Sequence, residues 1–154
     1  EAREYYRRAV EIAPTWAGAH SNLLLSLNYD ITDGTALFEA HRAWACSHAR
    51  GAPSPIFVNA PDPKRRLRVG YVSPDFRAHA VVSFIMVPLK CHDRAAFEVF
   101  CYANVDRPDG TTERVKSMGV TWRDIHGVSD IDAGRLIRDD GIDLLVDLAG
   151  HTGN

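Results

Sequence analysis

From Arg66 onward the chain alternates short apolar stretches, rich in β-branched and aromatic residues, with stretches of helical periodicity, and no other feature narrows the fold as much. The strand-like stretches are Leu67 to Val72, Phe97 to Tyr102, about Val120 to Asp124, and Asp143 to Leu148. Between them, helical patterns run over about Ala80 to Cys91, Thr111 to Met118 and Ser129 to Asp139. Such alternation predicts an α/β domain built on a doubly wound parallel sheet with right-handed crossovers. Gly70 is expected to let a neighbouring backbone approach the first strand, and Pro74 to end its ladder. Pro88 is expected to kink the first helix or end it early. Gly141 stands where a helix must stop before the fourth strand.

Upstream the pattern is purely helical. Ala2, Tyr5, Tyr6 and Ala9 share one face of a helix that Pro14 stops, and Ala2, Tyr6, Ala9 and Pro14 match the second-helix half of a tetratricopeptide repeat. A second helix, about Trp16 to Asn28, packs through Ala17, His20, Leu24 and Leu27; a third, about Thr35 to Ala49, through Leu37, Phe38, Trp44, Ala45 and His48. His41 and His48 lie about two turns, roughly 10 Å, apart, too far to chelate one metal. The segment GAPSPIFVNAPDP, residues 51–63, reads as an extended linker. The expected organisation is therefore the end of a repeat array over 1–30, a connecting helix and linker over 31–64, and the first part of a nucleotide-fold lobe over 65–154. One and a half repeats cannot bury a solenoid core, so a longer parent protein is expected.

Of the 154 residues 45% are hydrophobic, which is ordinary for a globular protein, and the formal net charge of −2 argues against nucleic acid as a partner. The basic run Lys64, Arg65, Arg66 and Arg68 reads as a solvated entry to the first strand. Cys46, Cys91 and Cys101 form no CxxC pair, which indicates neither a disulfide framework nor a zinc site and fits a reducing cytoplasm. No apolar run approaches the length needed to cross a bilayer.

In RLRVGYVSPDFRAHAV, residues 66–81, a core strand breaks into a Pro-Asp turn and then meets a histidine. Ser73, Asp75 and His79 thus follow the strand's carboxyl end, where open parallel sheets bind ligands. With strand order 3-2-1-4, the fourth strand lies beside the first and brings Asp147, Gly150, His151 and Thr152 to the same crevice. The turn GYVSPDF is not a GxGxxG, so no dinucleotide site of the usual kind is expected. Asp75 has two readings, a cap for the following helix or a functional group. Asp147 is expected to bond loop backbone.

The same segment, with FEVFCYANVDRPDGTTERVK (Phe97 to Lys116) and DGIDLLVDLAGHTGN (Asp140 to Asn154), resembles the O-linked N-acetylglucosamine transferases, the glycosyltransferase family that includes the plant SPINDLY proteins. The resemblance implies a Rossmann-like lobe of a GT-B glycosyltransferase, with a second lobe supplying most contacts to UDP. It implies transfer of N-acetylglucosamine from UDP-GlcNAc to protein serine or threonine hydroxyls, with inversion, no metal and no cofactor. The tetratricopeptide repeats would recruit the protein substrates, and the present chain alone would be inactive. His79, in its DFxxH context, corresponds to the family's active-site histidine, as base or positioning group. Ser73, Asp75, Gly150, His151 and Thr152 become candidate substrate-binding residues. His151 stands where the animal enzymes carry tyrosine, so a role in proton transfer does not carry over to it. Two alternatives stay open: an inactive repeat-based interaction scaffold, and a SPINDLY-like transferase that uses GDP-fucose.

Overall fold

The computed structural model describes residues 2–29, 33–48, 58–62 and 64–150. It divides into two compact units, residues 1–55 and 56–153.

The first unit holds three helices, α1 (Ala2–Ile12), α2 (Ala17–Leu27) and α3 (Gly34–His48). α1 packs on α2, and α2 on α3. Ala19, Leu24 and Leu27 of α2 are its buried apolar residues, which makes the middle helix the seam of the unit. The half-buried stripe of α3 is Leu37, Ala40, His41, Trp44 and His48, at the spacing of one helical face. Phe38 and Ala45, expected to pack, lie off that stripe and are exposed, as is Tyr5 of α1.

In the second unit the order is β1 (Leu67–Ser73), α4 (Ala80–Cys91), β2 (Phe97–Ala103), α5 (Gly110–Lys116), β3 (Thr121–Asp124), α6 (Asp130–Asp139) and β4 (Leu144–Asp147). The four strands form one sheet in the order β3-β2-β1-β4, all parallel, as the alternation predicts. Period-2 side chains sort its two faces. Val69, Tyr71, Val99, Cys101 and Ala103 meet Val82, Ile85 and Leu89 of α4 and Val115 of α5. On the other face Phe100, Tyr102 and Val72 meet Ala133, Leu136 and Ile137 of α6, with Ile125 and Ile142. Each fully buried Leu or Val contributes about 1.5–3 kcal/mol, so the two faces together hold the sheet between helical layers.

Three expectations are refined. Gly70 admits side chains rather than backbone: a Cβ there would stand 2.9 Å from Tyr102 Cε2 and 3.1 Å from Leu145 Cδ1. α4 continues three residues beyond Pro88, whose carbonyl still accepts from His92 N at 3.1 Å. So near the helix end, a missing N–H removes one ladder bond at most. The basic run is engaged rather than simply solvated. Arg65 pairs with Asp143, whose Oδ2 also accepts the Arg68 N–H at 2.8 Å, while the Arg68 guanidinium meets Glu98 at 3.0 Å. Gly141 behaves as expected: its φ of 63° places it one residue past the α6 C-cap, with Gly141 N on Arg138 O and Ile142 N on Ile137 O.

Candidate functional site

The site grows from the carboxyl end of β1. Ser73 closes that strand, and the Asn104 N–H reaches back from the end of β2 to Ser73 O at 3.0 Å. Ser73 is completely buried and its Oγ accepts the Asp75 N–H at 3.0 Å. Its hydroxyl therefore shapes the turn. Asp75 is also buried, with Oδ1 3.1 Å from an Arg77 guanidinium nitrogen and Oδ2 3.5 Å from His79 Nδ1. The capping reading of Asp75 is not realised, because His79 itself caps α4: its φ of −148° is extended, and its Nδ1 accepts the Val81 N–H at 3.3 Å.

That cap has a chemical consequence. A neutral imidazole carries one proton, so an Nδ1 that accepts from Val81 leaves the proton on Nε2. If Nδ1 instead donated to Asp75, Nε2 would hold the lone pair and could take a proton. The side chain is 40% exposed. Its ring lines a groove with Ser83 and Met86 of α4 and Thr111 and Arg114 of α5.

The loop between β1 and α4 is fixed from α5, which sequence reasoning missed. Asp109 caps α5, its Oδ1 accepting from Thr111 N at 2.8 Å and Thr112 N at 3.1 Å, while its Oδ2 accepts the Ala78 N–H at 2.7 Å. These backbone donors, Ala78 foremost, hold its carboxyl below the ordinary aspartate range. Thr112, fully buried, completes the capping box by accepting Asp109 N at 3.0 Å, and donates its hydroxyl to Phe76 O at 2.8 Å. Part of the signal was available: an Asp just ahead of a helical run is a usual N-cap, although the capping-box signature has Glu or Gln where this chain has Thr112. Nothing in the sequence says that its second oxygen reaches the DFRAH loop.

Beside β1, Val72 pairs with Asp147 and the Leu148 N–H donates to Val72 O at 3.1 Å. The ends of β1 and β4 are therefore adjacent, as the strand order requires. Asp147 bonds loop backbone, accepting from Ala149 N at 2.9 Å and Gly150 N at 3.1 Å, with Gly150 at φ 54°. Gly150 is thus placed on the β4 side of the crevice. His151 and Thr152 lie outside the described residues. On the far side His126 meets Asn104 Oδ1 at 3.2 Å and links the β3 loop to the end of β2.

The sequence model described as glycosyl transferase family 41 matches residues 45–154. The chain belongs to glycosyl transferase family 41. Among its relatives, the protein named probable UDP-N-acetylglucosamine–peptide N-acetylglucosaminyltransferase SPINDLY of Arabidopsis thaliana is 39% identical over 94% of this chain, which spans 16% of that protein. The protein named probable UDP-N-acetylglucosamine–peptide N-acetylglucosaminyltransferase SEC, also of Arabidopsis thaliana, is 34% identical over 57% of this chain and 9% of its own length. A solved structure of a Thermobaculum terrenum O-GlcNAc transferase mutant superposes with a TM-score of 0.87 at 39% identity, over 98% of this chain and 29% of that one. This family 41 chain therefore spans under a third of each. Among its described residues no helix is long and apolar enough to cross a membrane.

Proposed function

We propose that the protein to which this chain belongs is a cytoplasmic O-GlcNAc transferase, moving N-acetylglucosamine from UDP-GlcNAc to serine or threonine hydroxyls of proteins with inversion and without a metal in the reaction. In this reading residues 1–30 end a tetratricopeptide array that recruits the protein substrate, and residues 65–154 begin the first lobe of a GT-B catalytic region. The names of the relatives, family membership and the resemblance of the helical pattern support it. The site observation that carries it is His79, whose Nδ1 caps α4 just past the carboxyl end of β1 while the residue lines the groove beside α5.

Inverting transfer needs the acceptor oxygen in line with the anomeric carbon, a destination for the hydroxyl proton, and stabilisation of the departing phosphate. In the capped tautomer His79 supplies a hydrogen-bond donor, Nε2–H, rather than a base. Its part is then to position an oxygen of the sugar or acceptor, while Asp75 and Arg77 fix the loop beneath it. Gly150 stands on the β4 side of the sheet's carboxyl edge, and the resemblance makes His151 and Thr152 candidate substrate-binding residues with it.

The test uses full-length protein, an acceptor protein and UDP-GlcNAc, with transfer read by intact mass. His79→Ala should lower transfer about a hundredfold, the scale of a lost positioned group. His79→Asn, which can both cap a helix and donate from Nδ2, should recover to within about tenfold of wild type. Equal loss in the two variants would overturn the donor role and assign His79 as base. No transfer from either UDP-GlcNAc or GDP-fucose by folded wild type would overturn the transferase reading and favour an interaction scaffold. A second donor belongs in the same assay. SPINDLY relatives align over 94% of the chain against 57% for SEC, which favours a SPINDLY-like protein, so GDP-fucose is run in parallel.

A further inference from the structure

The helical unit contains a pair of imidazoles that the transfer reaction does not use. His20 of α2 and His48, the last residue of α3, are 28 residues apart in sequence, yet His20 Nδ1 and His48 Nε2 share a hydrogen bond at 3.1 Å, one ring donating and the other accepting. Their rings meet edge-on, with centroids 5.2 Å apart and planes at 82°. Neighbouring contacts hold the pair in place: Trp44 packs against His48 at 5.4 Å and donates from Nε1 to Ala17 O at 3.4 Å, so the last turns of α3 are tied to the first turn of α2. Both histidines are half-buried, which restricts their rotamers while leaving an open side to solvent.

Two nitrogens each about 2.0–2.1 Å from one zinc stand roughly 2.9 Å apart at a right angle and roughly 3.3 Å apart at the tetrahedral angle. The observed separation falls between these limits. We infer that His20 and His48 form a two-histidine clip for a first-row divalent cation, Zn²⁺ or Ni²⁺ by donor type, joining α2 to α3. Imidazole donors without carboxylates suit these ions rather than Mg²⁺ or Ca²⁺. Among the described residues no group of three or more His, Cys, Asp or Glu is gathered for a metal, so water completes the coordination and the ion remains exchangeable. Ligation replaces the hydrogen bond: both rings must be neutral with His20 Nδ1 and His48 Nε2 free of protons, so the proton now between them moves to the outer nitrogen of its own ring. Burial, aided by the neighbouring His48, lowers the pKa of His20 and keeps that ring in its ligating form near neutrality. The role is architectural: the ion fixes the end of α3, independently of His79 and of the sugar donor.

The experiment titrates the 154-residue chain with ZnCl₂ and NiCl₂ by calorimetry at about pH 7.5, where free imidazole is neutral. It also follows tryptophan emission, because Ni²⁺ bound at the pair would sit against Trp44 and quench it. Other histidines and thiols add weak sites, so the readout is the difference between proteins. His20→Ala and His48→Ala should each abolish the same one-equivalent event, weakening the tightest site at least about tenfold, as expected when one of two ligands is lost. His41→Ala, one helical face but a different turn away, should bind as wild type. Circular dichroism checks folding, and His48→Gln, of similar size and still able to hydrogen-bond, replaces any alanine variant that unfolds. Identical isotherms and quenching in all variants would overturn the clip, as would the absence of saturable binding below about 1 mM.

Discussion

Thr112 allows the support of the candidate site to be measured without touching the site itself. Its hydroxyl donates to Phe76 O at 2.8 Å and accepts from Asp109 N at 3.0 Å, and the residue is fully buried. Thr112→Val keeps the volume and branching but removes both bonds, leaving the Phe76 carbonyl without a partner in a place water does not reach. An unsatisfied buried group costs about 1–3 kcal/mol, and losing the second bond brings the expected total to about 2–3 kcal/mol. For a unit of this size each kcal/mol lowers the midpoint by about 4–8 °C, so the transition should fall by roughly 10–20 °C. Thr112→Ser is the comparison. It keeps the hydroxyl and loses one methyl, a cost of about 1 kcal/mol. Thermal unfolding of the chain is followed by far-ultraviolet circular dichroism and by tryptophan emission, since Trp122 packs on Phe76 at 5.7 Å and reports on the loop. The reasoning fails if the valine protein is as stable as the serine protein, because the hydroxyl would then contribute nothing that the methyl does not.

Two further outcomes test other parts of the structure. Arg65 foremost, then the Arg68 N–H and Asn59, hold the Asp143 carboxyl well below the usual carboxylate range. A depressed folded-state pKa gives stability that is fully present above the unfolded value of about 3.9 and is lost as the pH falls below it. In urea titrations the stability gap between wild type and Asp143→Asn should therefore narrow on acidification from about pH 5 to pH 2, and a constant gap would contradict the pairing. Burial pushes the Cys101 thiol up to about 12, whereas Cys46 and Cys91 are exposed. A thiol reagent at neutral pH should modify two cysteines of the native chain promptly and the third only after denaturant is added. Prompt reaction of all three would show that the sheet face over Cys101 opens readily.

What the sequence discloses and what it withholds follow from the range of the interactions involved. The four strands, the three helices between them and the order β3-β2-β1-β4 were legible, because periodicity is local and the crossover rules are few. The stop at Gly141 was legible for the same reason, being a matter of one residue's φ. His79 stood out through its neighbours in sequence. Its role as the α4 cap did not, because histidine is an uncommon cap and Asp75 is the conventional choice at such a turn. The Asp109 bond to Ala78 and the Thr112 bond to Phe76 cross more than thirty residues, and no spacing rule reaches that far. His20 and His48 escaped notice in the same way: His48 was weighed against His41 on its own helix, whereas its neighbour stands on α2.

The sheet order also sets a schedule for assembly during synthesis. Val69 of β1 lies opposite Val99 on one side and opposite Leu144 on the other, so the second partner emerges 45 residues after the first. At about 5–20 residues per second that is a wait of roughly 2–9 s. In that interval β1, β2 and β3 can already pair, α5 can form, and Asp109 can fasten Ala78, so the half of the crevice that holds His79 is finished before β4 arrives. Until then one flank of β1 has its amides and carbonyls open to any extended strand. A growing chain held at this stage would be a natural client for chaperones that cover bare sheet edges.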